Sequence, residues 1–243
     1  MDGKQAYVRE IALLGEEGWA ALRAAHVAVF GIGGVGSFAA EALVRAGVGS
    51  LTFVDGDAVA ESNLNRQLVA LHSTLGQNKA EVMAARARDI DPACRVTAVP
   101  AFYRAGEGMD LSAFSCVADC IDAVADKVAL LAAARRAGVP AVSCMGAGNR
   151  LAADFRVDDV EKTSGCPLAR IVRRELKKEG VTGVRAVYSP SAPLSPACGG
   201  FAEGERAVGS ISFVPSAAGL LAASEVVRIL LEAAGVRVPQ PPR

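Results

Sequence analysis

Four glycines, Gly31, Gly33, Gly34 and Gly36, fall close together in the run FGIGGVGS. Glycine tolerates positive φ and lets phosphate oxygens approach main-chain N–H groups, and a helix that follows such a turn directs its positive end at them. Asp55 stands at the end of the next apolar run, where its carboxylate can accept hydrogen bonds from ribose hydroxyls. The combination suits a nucleotide, NAD as well as the adenosine of ATP, and leaves the chemistry open.

Asn65, Arg66, Lys79 and Asp122 narrow it, because all four lie at or beyond the ends of strand-like runs. In an open α/β sheet those ends converge on one crevice, so residues distant in sequence meet there. Hydride transfer wants an apolar nicotinamide pocket and has no evident use for this charge set. Adenylyl transfer does. A carboxylate is a poor electrophile until its oxygen becomes a leaving group, which happens when it attacks the α-phosphorus of ATP and pyrophosphate departs. In that reaction Arg66 and Lys79 neutralise charge on the phosphates, Asp122 holds Mg²⁺ against them, and Asn63 and Asn65 orient phosphate or ribose oxygens. Lys79 near a helix start opposes the helix dipole, a placement that a phosphate at the same point would explain. The plainer reading makes Arg66 and Lys79 solvated side chains and Asp122 the cap of a helix beginning near Val124.

The elements that must position these groups alternate strand and helix. Residues 4–25 carry short helical patterns, 26–30 a buried strand, 37–46 a helix ended by Gly47, and 50–57 a second strand, which together make a βαβ unit. A helix beginning near Gln77 carries the stripe Ala80, Met83, Ala84, Ala87 and Ile90 until Pro92 stops it. Strands follow at 94–99, 115–122 and 139–146, with a helix over 124–137 before the last. Beyond residue 150 the pattern weakens to a short strand at 153–157, a basic helix from Pro167, strand-like pieces at 184–188 and 210–214, and a final helix over 217–234. The stretch 189–209 is rich in Pro, Ser and Gly and reads as a mobile surface loop. The expected class is α/β: a Rossmann-like, mostly parallel sheet flanked by helices, with a smaller C-terminal α+β extension. Residues 1–150 are expected to form N-terminal helices and the nucleotide-binding region, and 151–243 an extension that completes the sheet.

Composition agrees with a large buried core, since 51% of the 243 residues are hydrophobic and only 5% aromatic, as where helices pack closely on both faces of a sheet. Basic and acidic residues balance at 26 each, so any RNA contact must use a local patch rather than a global field. Charges interrupt or bound the apolar runs, including the long one near Leu220, and the expectation is a soluble cytoplasmic protein with no membrane partner. The six cysteines, at 94, 116, 120, 144, 166 and 198, form no CxxC pair and read as buried free thiols rather than a disulfide scaffold or a zinc site.

The runs GIGGVGSFAAEAL, FVDGDAVAESNLNRQL, GQNKAEVMA and DCIDAVADK, with their spacing, resemble the ubiquitin-activating-like adenylyltransferase superfamily over residues 7–146. Within it, the GIGGVG turn, NRQ and the segment QNKAEVMAARARDIDPACRV are most similar to the bacterial tRNA threonylcarbamoyladenosine dehydratases, and PLARIVRRELKKEG resembles that family's basic helix. The resemblance implies a nucleotide turn at Gly31, Gly33, Gly34 and Gly36, a ribose-binding Asp55, phosphate contacts from Asn65, Arg66 and Lys79, and a Mg²⁺-associated Asp122, with Asp57, Asn63 and Gln67 in the same nucleotide set. It also implies a homodimer in which Arg9 reaches the neighbouring subunit's site, although the first arginine of the usual motif is Ala6 here. The implied activity is ATP-dependent adenylation of the carboxylate of threonylcarbamoyladenosine at tRNA position 37, followed by ring closure with loss of AMP. A cysteine-desulfurase system is the implied protein partner.

Arg170, Arg173, Arg174, Lys177 and Lys178 recur at i,i+3 and i,i+4, so several share a helix face that can meet a phosphate backbone or simply face solvent. Cys166 precedes that helix without a sequence-adjacent histidine and reads as structural rather than as a thioester nucleophile. The competing activities are adenylation of the C-terminal glycine of a ubiquitin-like sulfur carrier, an NAD-dependent oxidoreductase, and a non-catalytic nucleotide-binding partner. The sulfur-carrier relatives usually hold zinc with two CxxC pairs, and this chain has neither pair.

Overall fold

The computed structural model describes residues 3–106, 108–196 and 208–236. In chain order the elements are α1 (Val8–Ala24), β1 (His26–Phe30), α2 (Gly36–Arg45), β2 (Ser50–Val54), α3 (Lys79–Ile90), β3 (Arg95–Val99), β4 (Cys116–Asp119), α4 (Val124–Arg136), β5 (Ala141–Cys144), β6 (Arg156–Asp159), α5 (Pro167–Lys178), β7 (Arg185–Tyr188) and α6 (Phe213–Ala233), joined in places by short 3-10 turns. The strands form one sheet in the order β3-β2-β1-β4-β5-β7-β6, parallel except for β6, which runs antiparallel to β7.

The central strands are buried on both faces, so their sequences are apolar throughout and the period of two appears only in which core each side chain joins. Along β1, Val27 and Val29 face a core built with α2, α3 and α6, whereas Ala28 and Phe30 face one built with α4 and α5. The chain leaves β1 toward β2 and later returns to place β4 on the other side of β1. That reversal opens a crevice at the carboxyl ends of β1 and β4, the usual binding position in such sheets. Strands from beyond residue 150 extend the same sheet.

The buried stripe of α3, Ala80, Met83, Ala84 and Ala87, follows the spacing in the sequence. It starts at Lys79 because Asn78 caps it, its side chain accepting from the Ala80 and Glu81 amides at 2.9 and 3.2 Å. The segment 210–214, expected as a strand, is not one: Phe213 and Val214 form the first turn of α6. Val214, Ala218, Ala222 and Val226 repeat every four residues and bury one helical face, and Pro215 is tolerated because the first helical turn needs no N–H from it. The strand expected at 153–157 instead spans Arg156–Asp159, where it pairs with β7.

Helix α6 is long and apolar enough by length and composition to cross a membrane, but more than half of its apolar stretch is buried and it packs on α1, α2 and the sheet. Gly219 is what lets it approach α2, since a Cβ there would sit 2.3 Å from the Val35 carbonyl oxygen. Cys94, Cys116, Cys144 and Cys166 are buried free thiols and Cys120 is a partly exposed one. Cys198, and residues 197–207 of the expected loop, lie outside the described residues.

Candidate functional site

A cavity of about 730 Å³ opens at the carboxyl ends of β1, β2, β4 and β5. The glycine turn forms one wall, and its four glycines divide by cause. Gly31 has φ of 84°, and a Cβ on it would lie 2.8 Å from the Cys120 carbonyl oxygen; a Cβ on Gly36 would lie 1.7 Å from the Gly31 carbonyl oxygen. Those two are required by the backbone itself. Gly33 and Gly34 are not, since the nearest atoms to added methyls are the Gln67 side chain at 3.8 Å and Pro215 at 3.3 Å. Both line the cavity, and their bareness leaves main chain open to a ligand. No side chain caps α2, and of its first N–H groups that of Ser37 is taken by the Gly33 carbonyl at 3.0 Å.

Asp55 holds this turn to the end of β2. Its carboxylate accepts from the Ile32 amide at 2.5 Å and the Asp57 amide at 2.8 Å. Burial pushes its pKa above the ordinary carboxylate value, and the two amides and Lys79 recover only part of that shift. Ser37, absent from the sequence reading, fastens the other side: its hydroxyl donates to the Gly33 carbonyl at 2.6 Å and accepts from the Leu68 amide at 3.1 Å.

Lys79 points inward at 6% exposure and donates to Asp57 at 2.8 Å, while Asp57 is itself half-exposed on the cavity. Asn63, Arg66 and Gln67 also reach the cavity. Asn63 Oδ1 accepts from the Ala60 amide at 3.1 Å, and the Arg66 guanidinium donates to the Ser62 carbonyl and Asn65 Oδ1 at 2.8 and 2.9 Å. Asn65 does not line the cavity; its side-chain Nδ2 donates to the Ser210 carbonyl at 3.0 Å and ties the loop to the segment before α6. Gln67 is 8% exposed, and its Oε1 has no partner among the described residues. A buried unpaired acceptor is unfavourable by about 1–3 kcal/mol, which a donor on a ligand would relieve.

Beneath the loop after β4 lies a network that the sequence reading missed. Lys127 Nζ donates to Asp119 at 2.6 Å, to the Cys144 carbonyl at 3.0 Å and to Ser143 Oγ at 3.3 Å, and Ser143 donates to Asp119 at 2.6 Å. The other Asp119 oxygen accepts from the Ile121 amide at 3.1 Å. The available signal was Lys127 itself, a charged residue on the apolar stripe of α4 with Leu130, Leu131 and Ala134, where burial demands a partner. The network fixes the backbone that presents Asp122, which is exposed, lines the cavity and makes no ion pair or hydrogen bond among the described residues.

Gly148, Val208 and Ser210 also line the cavity, and next to Gly148 stands Asn149, a non-glycine residue at φ of 55°. Its carbonyl accepts from the Leu194 amide at 2.7 Å, its amide N–H donates to the Gly209 carbonyl at 2.7 Å, and its side chain accepts from the Gly209 amide at 2.6 Å.

Arg9 is exposed on the first turn of α1 and does not line the cavity of its own chain. The basic helix borders a second hollow of about 930 Å³, lined by Arg170, Arg173, Arg174 and Lys177 together with Glu161 and Val181. Arg173 donates to the Thr163 carbonyl at 2.5 Å, and Arg174 and Lys178 both pair with Glu175. Lys178 is outside that hollow. Cys166, at the N-terminus of α5, is 4% exposed.

The ThiF family model matches residues 7–241. The chain belongs to the ThiF family. Among ThiF relatives, the tRNA threonylcarbamoyladenosine dehydratase of Bacillus subtilis (strain 168) is 39% identical over 238 residues, covering 90% of this chain and 92% of that one. The crystal structure of E. coli tRNA N6-threonylcarbamoyladenosine dehydratase in complex with ATP matches with a TM-score of 0.85 at 36% identity, over 97% of this chain and 98% of that one. The same E. coli protein in complex with AMP matches with a TM-score of 0.87 at 38% identity, over the same shares. The ThiF match thus spans the glycine turn, the strand ends around the cavity and the strands that follow residue 150.

Proposed function

We propose that this chain is an ATP-dependent tRNA threonylcarbamoyladenosine dehydratase of the cytoplasm. The observation that carries the reading is the gathering of Gly33, Gly34, Arg66, Lys79 and Asp122 around one cavity, in a chain alike over nearly its whole length to an enzyme solved with ATP. The substrate carboxylate attacks the α-phosphorus and pyrophosphate leaves. The modification's own urea nitrogen or oxygen then attacks the activated carbonyl carbon, AMP departs and the ring closes.

In that reaction the amides at Gly33 and Gly34 and the open end of α2 cradle phosphate, with Gly31 and Gly36 shaping the turn. Asp55 meets the ribose. Arg66 and Lys79 balance the charge of the phosphates, Lys79 exchanging its contact with Asp57 for a phosphate oxygen. Asn63 and Gln67 orient the nucleotide from the same wall, and Asn65 holds the loop that carries Arg66.

Magnesium fits the donors present. Among the described residues there is no group of three or more His, Cys, Asp or Glu able to hold a metal alone. A magnesium ion needs only one or two carboxylates when phosphates and water supply its other ligands, and Asp122 offers an uncommitted carboxylate on the cavity. Bound there, the ion would withdraw charge from the phosphates.

The reading includes a homodimer and a tRNA surface. Arg9, exposed and away from its own cavity, acts in the partner's site, and Val8 and Leu13 on the same helix are large apolar residues at 55% and 68% exposure. Arg170, Arg174 and Lys177 meet tRNA phosphates along α5, with Arg173 and Lys178 adding to the field.

The test is incubation with ATP, Mg²⁺ and either threonylcarbamoyladenosine-containing tRNA or a Gly-Gly-ended carrier, with AMP and each product measured. Cyclic product from tRNA is expected, suppressed by Asp122→Asn. AMP with the carrier alone reassigns the substrate, and no AMP with either rejects adenylation.

A further inference from the structure

Cys120 and Cys144 border the cavity, and no step of the proposed reaction uses either. Their Sγ atoms are 3.9 Å apart. Asp119 pairs with Ser143 in parallel register, so Cys120, immediately after β4, lies beside Cys144, the last residue of β5. Neighbouring strands lie about 4.8 Å apart, within the roughly 4.4–6.8 Å of Cα separation that a disulfide spans. Closing the sulfurs from 3.9 Å to bonding distance draws the loop after β4, which starts at Cys120, toward the end of β5 while the strands keep their pairing.

Such a bond would act on the nucleotide walls directly. The Cys120 carbonyl oxygen is 2.8 Å from where a Cβ on Gly31 would be, and its own Cβ is 3.1 Å from the same point on Gly36. The glycine turn thus rests on Cys120 without intervening atoms, and Asp122 follows two residues later. On the other strand, the Cys144 carbonyl accepts from Lys127 at 3.0 Å.

We propose that Cys120 and Cys144 form a reversible disulfide that closes the nucleotide cavity to ATP; the identity of the excluded ligand rests on the function proposed above. With hydrogen peroxide as oxidant, one cysteine gives up its thiol proton and its sulfur attacks a peroxide oxygen; the O–O bond breaks, the proton goes to the departing hydroxide, and a sulfenic acid and one water result. The second thiol then attacks the sulfenic sulfur and expels a second water. Two thiols are oxidised to one disulfide and one peroxide is reduced to two waters, and a dithiol reverses the change by exchange.

The experiment treats the full-length reduced chain with hydrogen peroxide, then reads intact mass, a peptide map after alkylation, and binding of ATP. Expected are a mass lower by two hydrogens, a Cys120–Cys144 linked peptide, and ATP affinity reduced by about tenfold or more and restored by dithiothreitol. Excess ATP present beforehand should slow the linkage, and Cys144→Ser should retain after peroxide the ATP affinity it had before. Oxidation that stops at sulfinic acid without a link, or a linked chain that binds ATP like the reduced one, overturns the proposal whether or not the variant folds. A reduced chain with no affinity for ATP rejects the function proposed above, while the peptide map still decides the disulfide.

Discussion

Lys127 Nζ lies 2.6 Å from Asp119 Oδ2, and neither side chain has any exposed surface. An ion pair in such a place is poor evidence of net stabilisation, because both charges lose their hydration, but removing one partner strands the other. Ser143, the Cys144 carbonyl and the Ile121 amide complete its bonding, so the pair works as a peg joining β4, β5 and α4 under the cavity floor.

Lys127→Met should therefore lower the unfolding free energy by about 3–5 kcal/mol. Adding Asp119→Asn should recover part of the loss. Urea denaturation of the single and double variants measures both, and a single-variant change below about 1 kcal/mol would contradict the buried-charge account.

The glycines of the turn should separate by phenotype. Gly36→Ala places a methyl 1.7 Å from the Gly31 carbonyl oxygen and should destabilise the fold by about 3 kcal/mol or more. Gly33→Ala meets nothing nearer than 3.8 Å and should keep near-native thermal stability while weakening ATP binding, because its methyl projects where phosphate approaches. Equal stability losses in the two variants would contradict this division.

Lys79→Met keeps the apolar stem and removes the charge. Its partner Asp57 is 53% exposed and can be hydrated in its place, so stability should change by no more than about 1 kcal/mol. AMP release should fall about 100-fold or more, the usual scale for losing one donor to developing charge. Normal turnover in this variant would remove Lys79 from the chemistry.

Asp91 supplies the pH prediction. Burial raises its pKa, but the Arg23 guanidinium at 2.5 Å and the Tyr7 hydroxyl at 2.9 Å outweigh that, and the net shift is downward. A carboxylate with a depressed folded pKa adds stability above its unfolded value of about 3.9, and that stability is lost as pH falls through the folded value. Asp91→Asn should thus be less stable than the parent at neutral pH, and the gap should close in strong acid. Denaturation midpoints across that range test the sign.

Much of the site was legible because its parts are local. The glycine turn, the acid that ends β2 and the stripe of α3 each follow from spacings within a few residues, where steric limits and helical period act directly. Short apolar runs were less readable. SISFV alternates like a strand, yet its last two residues enter α6 because the buried face of that helix, extended back by Val214, outweighs a two-residue alternation. Asn65 could be placed near the nucleotide but not oriented, since its partner, the Ser210 carbonyl, is 145 residues away.

The sequence by itself determined that a phosphate-suited turn joins a buried strand to a helix, and that a carboxylate follows at the next strand end, because those features depend on backbone sterics over short distances. Only the tertiary structure decided that Lys127 meets Asp119 and Ser143, that Cys120 faces Cys144, and that Asn149 grips Gly209. Each of those contacts depends on which strands lie side by side, in what register, and on where the loops at their ends are drawn together. Local patterns carry no such information, because a buried strand reads the same whichever neighbour it takes.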